Sequence, residues 1–113
     1  MVGGWFITGT DTGVGKTVIA CALAILVREL GRRVGVFKPV ATGCRLDPRL
    51  GWVSEDSEVL AHCAEAGVDL ATICPVRYSG YLSPLAAAER SRRPMDWDAV
   101  ERSWERIRNT SDW

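Results

Sequence analysis

Nine residues, Gly9-Thr10-Asp11-Thr12-Gly13-Val14-Gly15-Lys16-Thr17, constrain this chain more than any other stretch. Three glycines and a terminal Gly-Lys-Thr lie between an apolar run and a helical one, which is the composition of a phosphate-binding loop. A polyphosphate must be wrapped at close range by backbone N–H groups, and glycine permits both the approach and the unusual dihedrals. Lys16 then reaches the β- and γ-phosphates, the Thr17 hydroxyl ligates Mg²⁺, and the positive end of the next helix faces the anion. The common pattern places four residues between its first glycine and the Gly-Lys pair, whereas five separate Gly9 from Gly15. Either Thr10 takes the first position or the loop is a longer variant.

The flanks suit such a loop. Trp5-Phe6-Ile7-Thr8 is a short β-prone run. Val18 to Val27 is apolar without a polar face, and Arg28-Glu29-Leu30-Gly31 supplies a charged last turn and a glycine stop. The pattern predicts a buried helix of roughly 15 residues, about 22 Å long. Val34 to Val40 is a second β-prone run, ended or pushed to an edge by Pro39. Strand, helix and strand in this order form a βαβ unit with a parallel sheet and a right-handed crossover. The ligand crevice then lies at the carboxyl ends of the strands, where Gly9 to Thr17 and Lys38 to Gly43 both fall. On this geometry Lys38 is either a site residue or a solvated lysine at a strand end, and Thr42-Gly43 is either a ligand contact or only a turn.

Further along, Cys44 to Val53 has the marks of a loop, with Asp47-Pro48 and Gly51. Ser54 caps a helix from Glu55 to about Ala66, stopped by Gly67. Asp56 lies in its first turn, where the helix dipole alone is reason enough for a carboxylate. Ala71 to Val76 reads as an edge strand or extended connection because of Pro75. Ser83-Pro84 starts a helix running to Ser91, and Asp96 caps an amphipathic helix whose Trp97, Val100, Trp104 and Ile107 are read as core packing. Asp112-Trp113 resembles the approach to another strand that does not follow, so the sequence reads as truncated there.

Fourteen basic and fourteen acidic side chains give no net attraction to nucleic acid or to an anionic membrane, and no apolar run is long enough for a membrane span. Without a basic leader the default location is cytoplasmic. Cys21, Cys44, Cys63 and Cys74 fit no zinc or Cys-x-x-Cys spacing and read as reduced thiols, with Cys21 in the core helix. His62 reads as a helix-surface residue.

With these residues in place, the chain resembles the N-terminal half of dethiobiotin synthase. The resemblance rests on Phe6 to Thr17, on Lys38-Pro39-Val40-Ala41-Thr42-Gly43, on Asp56 at an acidic helix start and on Ser83-Pro84 before an alanine-rich helix. The family's loop has the longer spacing, and its fold is an α/β, phosphate-loop NTPase-type parallel sheet flanked by helices, here incomplete. The resemblance implies an ATP- and Mg²⁺-dependent ligase that joins CO₂ to 7,8-diaminononanoate, phosphorylates the carbamate and closes the ureido ring, releasing ADP and phosphate. On matching positions, Gly13, Val14, Gly15, Lys16, Thr17 and Val18 would hold the ATP phosphates. Thr17 and Asp56 would ligate Mg²⁺, Lys38 would be catalytic with Lys16 beside it, and Thr12 and Thr42 would bind the carbamate or diamine. Two lysines and a metal ion suit a reaction that brings two anions together. The resemblance also implies a homodimer. Leu85 stands where many family members carry histidine. With the family's second half absent, the 113 residues alone are expected to be inactive and poorly stable. The rival readings are a partitioning-type switch ATPase, which usually has an extra lysine early in the loop, an amidoligase of the cobyrinate a,c-diamide synthase type, and a non-enzymatic remnant.

Overall fold

The computed structural model describes residues 3–7, 15–80 and 84–113. The predicted loop from Thr8 to Val14, and Ser83, lie outside the described residues. The first element, α1 (Gly15–Glu29), begins at the Gly-Lys-Thr triplet. It ends where Gly31 turns into the left-handed region at φ 82°, with its N–H donating to the Arg28 carbonyl at 2.9 Å. Only one stripe of this helix is buried, Cys21, Ala24 and Val27, and it packs on α2 (Glu55–Ala64). Val18, Ile19 and Leu26 are each more than half exposed. The helix predicted to be buried all round is therefore buried along one seam, because among the described residues nothing is packed on its other side.

The extended run from Arg33 to Ala41 is the axis of the fold. On one side, β1 (Val40–Ala41) pairs in parallel with β4 (Val76–Arg77), with Val40 opposite Val76 and Ala41 opposite Arg77. Lys38 N–H extends that side by donating to the Ile73 carbonyl at 2.9 Å. On the other side Trp113 N–H donates to the Arg33 carbonyl at 3.2 Å and Gly35 N–H to the Trp113 carbonyl at 2.8 Å, the bond pattern of a parallel neighbour. Gly35 is required here, since a Cβ would come within 2.7 Å of Ile107. The second predicted strand thus exists as an extended segment with only its last two residues in a regular ladder. Residues 5–7, predicted as the first strand, join no ladder among the described residues; Trp5 instead meets Trp113 edge-on at 5.1 Å.

Two local readings are corrected. The stretch read as a loop contains a hairpin, β2 (Arg45–Asp47) and β3 (Gly51–Val53), antiparallel, with Leu46 opposite Trp52. Its turn is held by Asp47 Oδ1, which accepts from Arg49 N–H at 2.8 Å and Leu50 N–H at 3.0 Å. Gly51 supplies a φ of 77°. The stretch read as a strand from Ala71 begins as a short helix, α3 (Leu70–Ile73), because the Asp69 carboxylate accepts from Thr72 N–H at 3.0 Å and caps it. Only after Pro75 does β4 form.

The remaining helices stand where capping residues place them. Ser54 accepts from Ser57 N–H to start α2, which stops at Glu65 in the left-handed region (φ 49°), two residues before the predicted Gly67. α4 (Pro84–Ser91) buries Ala87 and Ala88 with Val76 and Tyr78, and Val40, Met95 and Val100 close over them. α5 (Trp97–Thr110) is capped by Asp96, as read. Its core contribution is narrower than read: Ile107 is buried, whereas Trp97 faces solvent and Trp104 stays half exposed against Phe37 at 5.6 Å.

Candidate functional site

Lys38 and Asp56 are brought together by two different elements. Lys38 stands near the carboxyl end of the extended run, two residues before β1, with its backbone fixed by the bond to Ile73. Asp56 stands in the first turn of α2, whose position is fixed by the Ser54 cap. Their charges meet at 3.3 Å, Lys38 Nζ to Asp56 Oδ2, with the side chains 34% and 44% exposed. A pair this open contributes little to stability. It is accessible to a ligand, and each charge is held in place by the other.

The described part of the loop motif lies at the start of α1. Gly15 is exposed, Lys16 and Thr17 are half-buried, and Val18 faces solvent. These four residues form the N-terminal turn of a helix of 15 residues, the end at which the helix dipole is positive. Thr12, Gly13 and Val14 lie outside the described residues. Thr42 directly follows β1, on the far side of that strand from Lys38, and is followed by Gly43 at φ 66°, whose N–H donates to the Gly80 carbonyl at 2.8 Å.

Arg77 is a residue that sequence reasoning missed. It lies opposite Ala41 at the carboxyl end of β4, and its guanidinium donates to the Trp52 carbonyl at 3.0 Å. Arg93 reaches the Arg77 carbonyl at 2.6 Å and stacks over Tyr78 at 5.1 Å. Burial pushes the Cys44 thiol up, and Arg77, Lys38 and Arg93 oppose that rise. Arg77 and Arg93 therefore meet at the carboxyl end of β4, while Lys38 precedes β1. The sequence signal for Arg77 was obscured because Ala71 to Val76 read as one strand, which left the arginine without a register.

Among the described residues no group of three or more His, Cys, Asp and Glu could hold a metal ion, and no helix is long and apolar enough to cross a membrane. A hard divalent cation needs fewer protein ligands when phosphate and water complete its shell. Asp56 and the Thr17 hydroxyl are oxygen donors of the required kind. A cavity of about 360 Å³ among Arg28, Arg33, Val36, Glu65 and Ser111 lies at the other edge of the fold, against the amino end of the extended run and away from Lys38 and Asp56.

A family model described as "AAA domain" matches residues 4–112. ATP-dependent dethiobiotin synthetases are among the similar proteins. The one from Rhodopirellula baltica is 40% identical over 92 residues, covering 81% of this chain and 36% of the relative. That of Thermodesulfovibrio yellowstonii is 34% identical over 113 residues, covering 100% of this chain and 47% of the relative. That of Xanthomonas campestris pv. campestris is 43% identical over 86 residues, covering 75% and 38%. The chain spans less than half the length of these relatives.

Proposed function

Since the chain belongs to the AAA-domain family, we propose that it is the phosphate-binding part of an ATP-dependent dethiobiotin synthetase, and that it corresponds to the N-terminal portion of a single nucleotide-binding domain. The observation that carries this reading is the 3.3 Å contact between Lys38 and Asp56, two residues 18 positions apart that the motif pattern had singled out separately. The relatives are ATP-dependent dethiobiotin synthetases, which points to the nucleotide and the product.

In this reading the turn Gly13 to Val18 cradles the phosphates of ATP, with Lys16 neutralising them. Thr17 and Asp56 offer oxygen ligands to Mg²⁺, which would supply charge neutralisation at the phosphates. Lys38, now paired with Asp56, would turn toward the carbamate formed from 7,8-diaminononanoate and CO₂ when Asp56 takes up the metal. The substrate and the transferring phosphoryl group are both anionic, so a lysine fixed between them lowers the barrier to their approach. Thr12 and Thr42 would orient the carbamate or diamine. The active form is a homodimer in the cytoplasm, acting on small molecules, and the 113 residues alone are inactive.

The test joins these residues to the remaining part of the Thermodesulfovibrio yellowstonii relative and measures ADP release. Release that needs both the diamine and bicarbonate supports the assignment. Release that needs glutamine, or that occurs with neither substrate, overturns it in favour of an amidoligase or a switch ATPase.

A further inference from the structure

At the amino end of the extended run, the cavity of about 360 Å³ opens between the last turn of α1, the chain leaving α2 and the last turn of α5. Its floor is apolar, made by Val36, Ala64, Val68 and Ile107. Its rim carries three arginines, Arg28, Arg32 and Arg33, against one lining carboxylate, Glu65. Two of the arginines are occupied. Arg33 gives its guanidinium to Asp112, and Arg28 donates to the Cys63 carbonyl at 2.8 Å and faces Glu65 at 3.6 Å. Arg32 is exposed, and its side chain makes no hydrogen bond or ion pair among the described residues.

More donors are left over on the same walls. The Ser111 hydroxyl and the backbone N–H groups of Val34 and Val36 line the cavity and have no partner among the described residues. The carbonyls at the helix ends are already engaged. Arg28's accepts from Gly31 N–H at 2.9 Å, Ala61's from Ala66 N–H at 3.0 Å, and those of Arg106 and Ile107 from the Thr110 hydroxyl at 2.9 and 3.3 Å. A ligand that suits this space brings acceptor oxygens and a negative charge to the rim and hydrocarbon to the floor.

We propose that this cavity binds a medium-chain aliphatic carboxylate, with its head on Arg32 and the Ser111 hydroxyl and its chain over Val36, Ala64, Val68 and Ile107. At about 30 Å³ per non-hydrogen atom, the share of a water in the liquid, the space takes roughly a dozen such atoms. Octanoate fits whole, whereas the longer chains of membrane lipids do not. A small inorganic anion would leave the floor empty, and a cationic ligand would meet Arg32. Neither acid nearby competes for the head, since Asp112 is held by Arg33 and the Glu65 side chain is 72% exposed beside Arg28. The site is separate from Lys38 and Asp56, so it stands whatever reaction they serve.

The experiment titrates the isotope-labelled 113-residue chain with octanoate, and in parallel with acetate and with octanol, following backbone amide shifts by NMR. Octanoate should bind one-to-one and saturably, with a Kd below about 1 mM. The largest shifts should fall at Val34, Val36, Gly67 and Val68. Acetate lacks the chain and octanol lacks the charge, so each should bind at least about tenfold more weakly. Arg32→Ala should weaken octanoate binding roughly 10- to 100-fold and leave the thermal midpoint of the free chain unchanged. Arg32→Lys should restore part of the affinity. The proposal is overturned by the absence of saturable shifts, by octanol bound as tightly as octanoate, or by octanoate affinity that Arg32→Ala does not move. Shifts gathered instead at Val18, Ile19 and Leu26 would place the chain on the exposed face of α1 and overturn it equally.

Discussion

Arg33 holds Asp112 from three directions. Its guanidinium donates to Oδ1 at 3.0 Å and to Oδ2 at 3.4 Å, and its own backbone N–H donates to Oδ2 at 2.9 Å. These bonds, side chain first and backbone second, hold the Asp112 carboxyl below its ordinary range. A carboxyl lowered in the folded state contributes stability that is present above its unfolded value and lost as pH falls through the folded one. Asp47, Glu58 and Asp69 are lowered as well, by the turn amides, by Arg45 and by Thr72 respectively. The thermal midpoint should therefore fall on acidification from about pH 5 downward. Asp112→Asn should lower the midpoint at neutral pH and flatten that fall, and an unchanged acid limb would remove the Arg33 pair from the account.

At the alkaline end the sign reverses. Burial pushes the Cys74 thiol up to about 11, so the folded chain holds that proton more tightly than the unfolded chain does. Stability supplied by the neutral thiol is intact below the ordinary cysteine value of 9.0 and is lost as pH rises from there toward 11. The loss from Cys74 should reach about 2 kcal/mol. Urea titrations at rising pH, compared with Cys74→Ala, measure it; a wild-type curve as flat as that of the variant between those values would refute the assignment.

Lys38→Ala in the joined protein should lower ADP release roughly 10²- to 10³-fold, the usual cost of removing a group aimed at developing charge. ATP affinity should change much less, because the backbone of the loop and Lys16 carry phosphate binding in this reading. Turnover that survives the substitution would remove Lys38 from the reaction. A parallel loss of ATP affinity would make it a binding residue instead.

Ile73 and Ser57 are both buried and should behave in opposite ways. Ile73 is fully enclosed, so Ile73→Ala should cost about 2–5 kcal/mol in urea unfolding. The Ser57 hydroxyl is buried beside the Cys74 thiol without a well-formed hydrogen bond. Ser57→Ala should consequently be neutral or slightly stabilising, since it removes a polar group that gains little from burial. A loss above about 1 kcal/mol would mean the hydroxyl has a strong partner.

The sequence made the helices far more legible than the sheet, for a physical reason. Helix limits are written locally. Ser54 and Asp96 mark their own caps, and the Gly31 stop is a property of one residue. Asp69 carries the same signal, but the apolar, β-prone run after it favours a strand over the four-residue α3. Strand limits are set by partners distant in sequence, so neither apolar run revealed that only Val40 and Ala41 would enter a regular ladder. The even apolarity of α1 could not distinguish one buried stripe from two, because that depends on what is packed alongside. Of the site, the motifs name Lys38 and Asp56 one by one, whereas their contact needed the fold and Arg77 needed the register against Ala41.

The extended run from Arg33 to Ala41 also has consequences in time. One flank closes onto residues 73 to 78, and the other closes onto Asp112, 79 positions from Arg33. Closing loops of that length is entropically slow, whereas helices form from near neighbours. A chain emerging from the ribosome can assemble α1 against α2 well before it has made residue 112. For that interval the run carries one unpaired edge, the state in which a partly made chain most readily pairs with another copy.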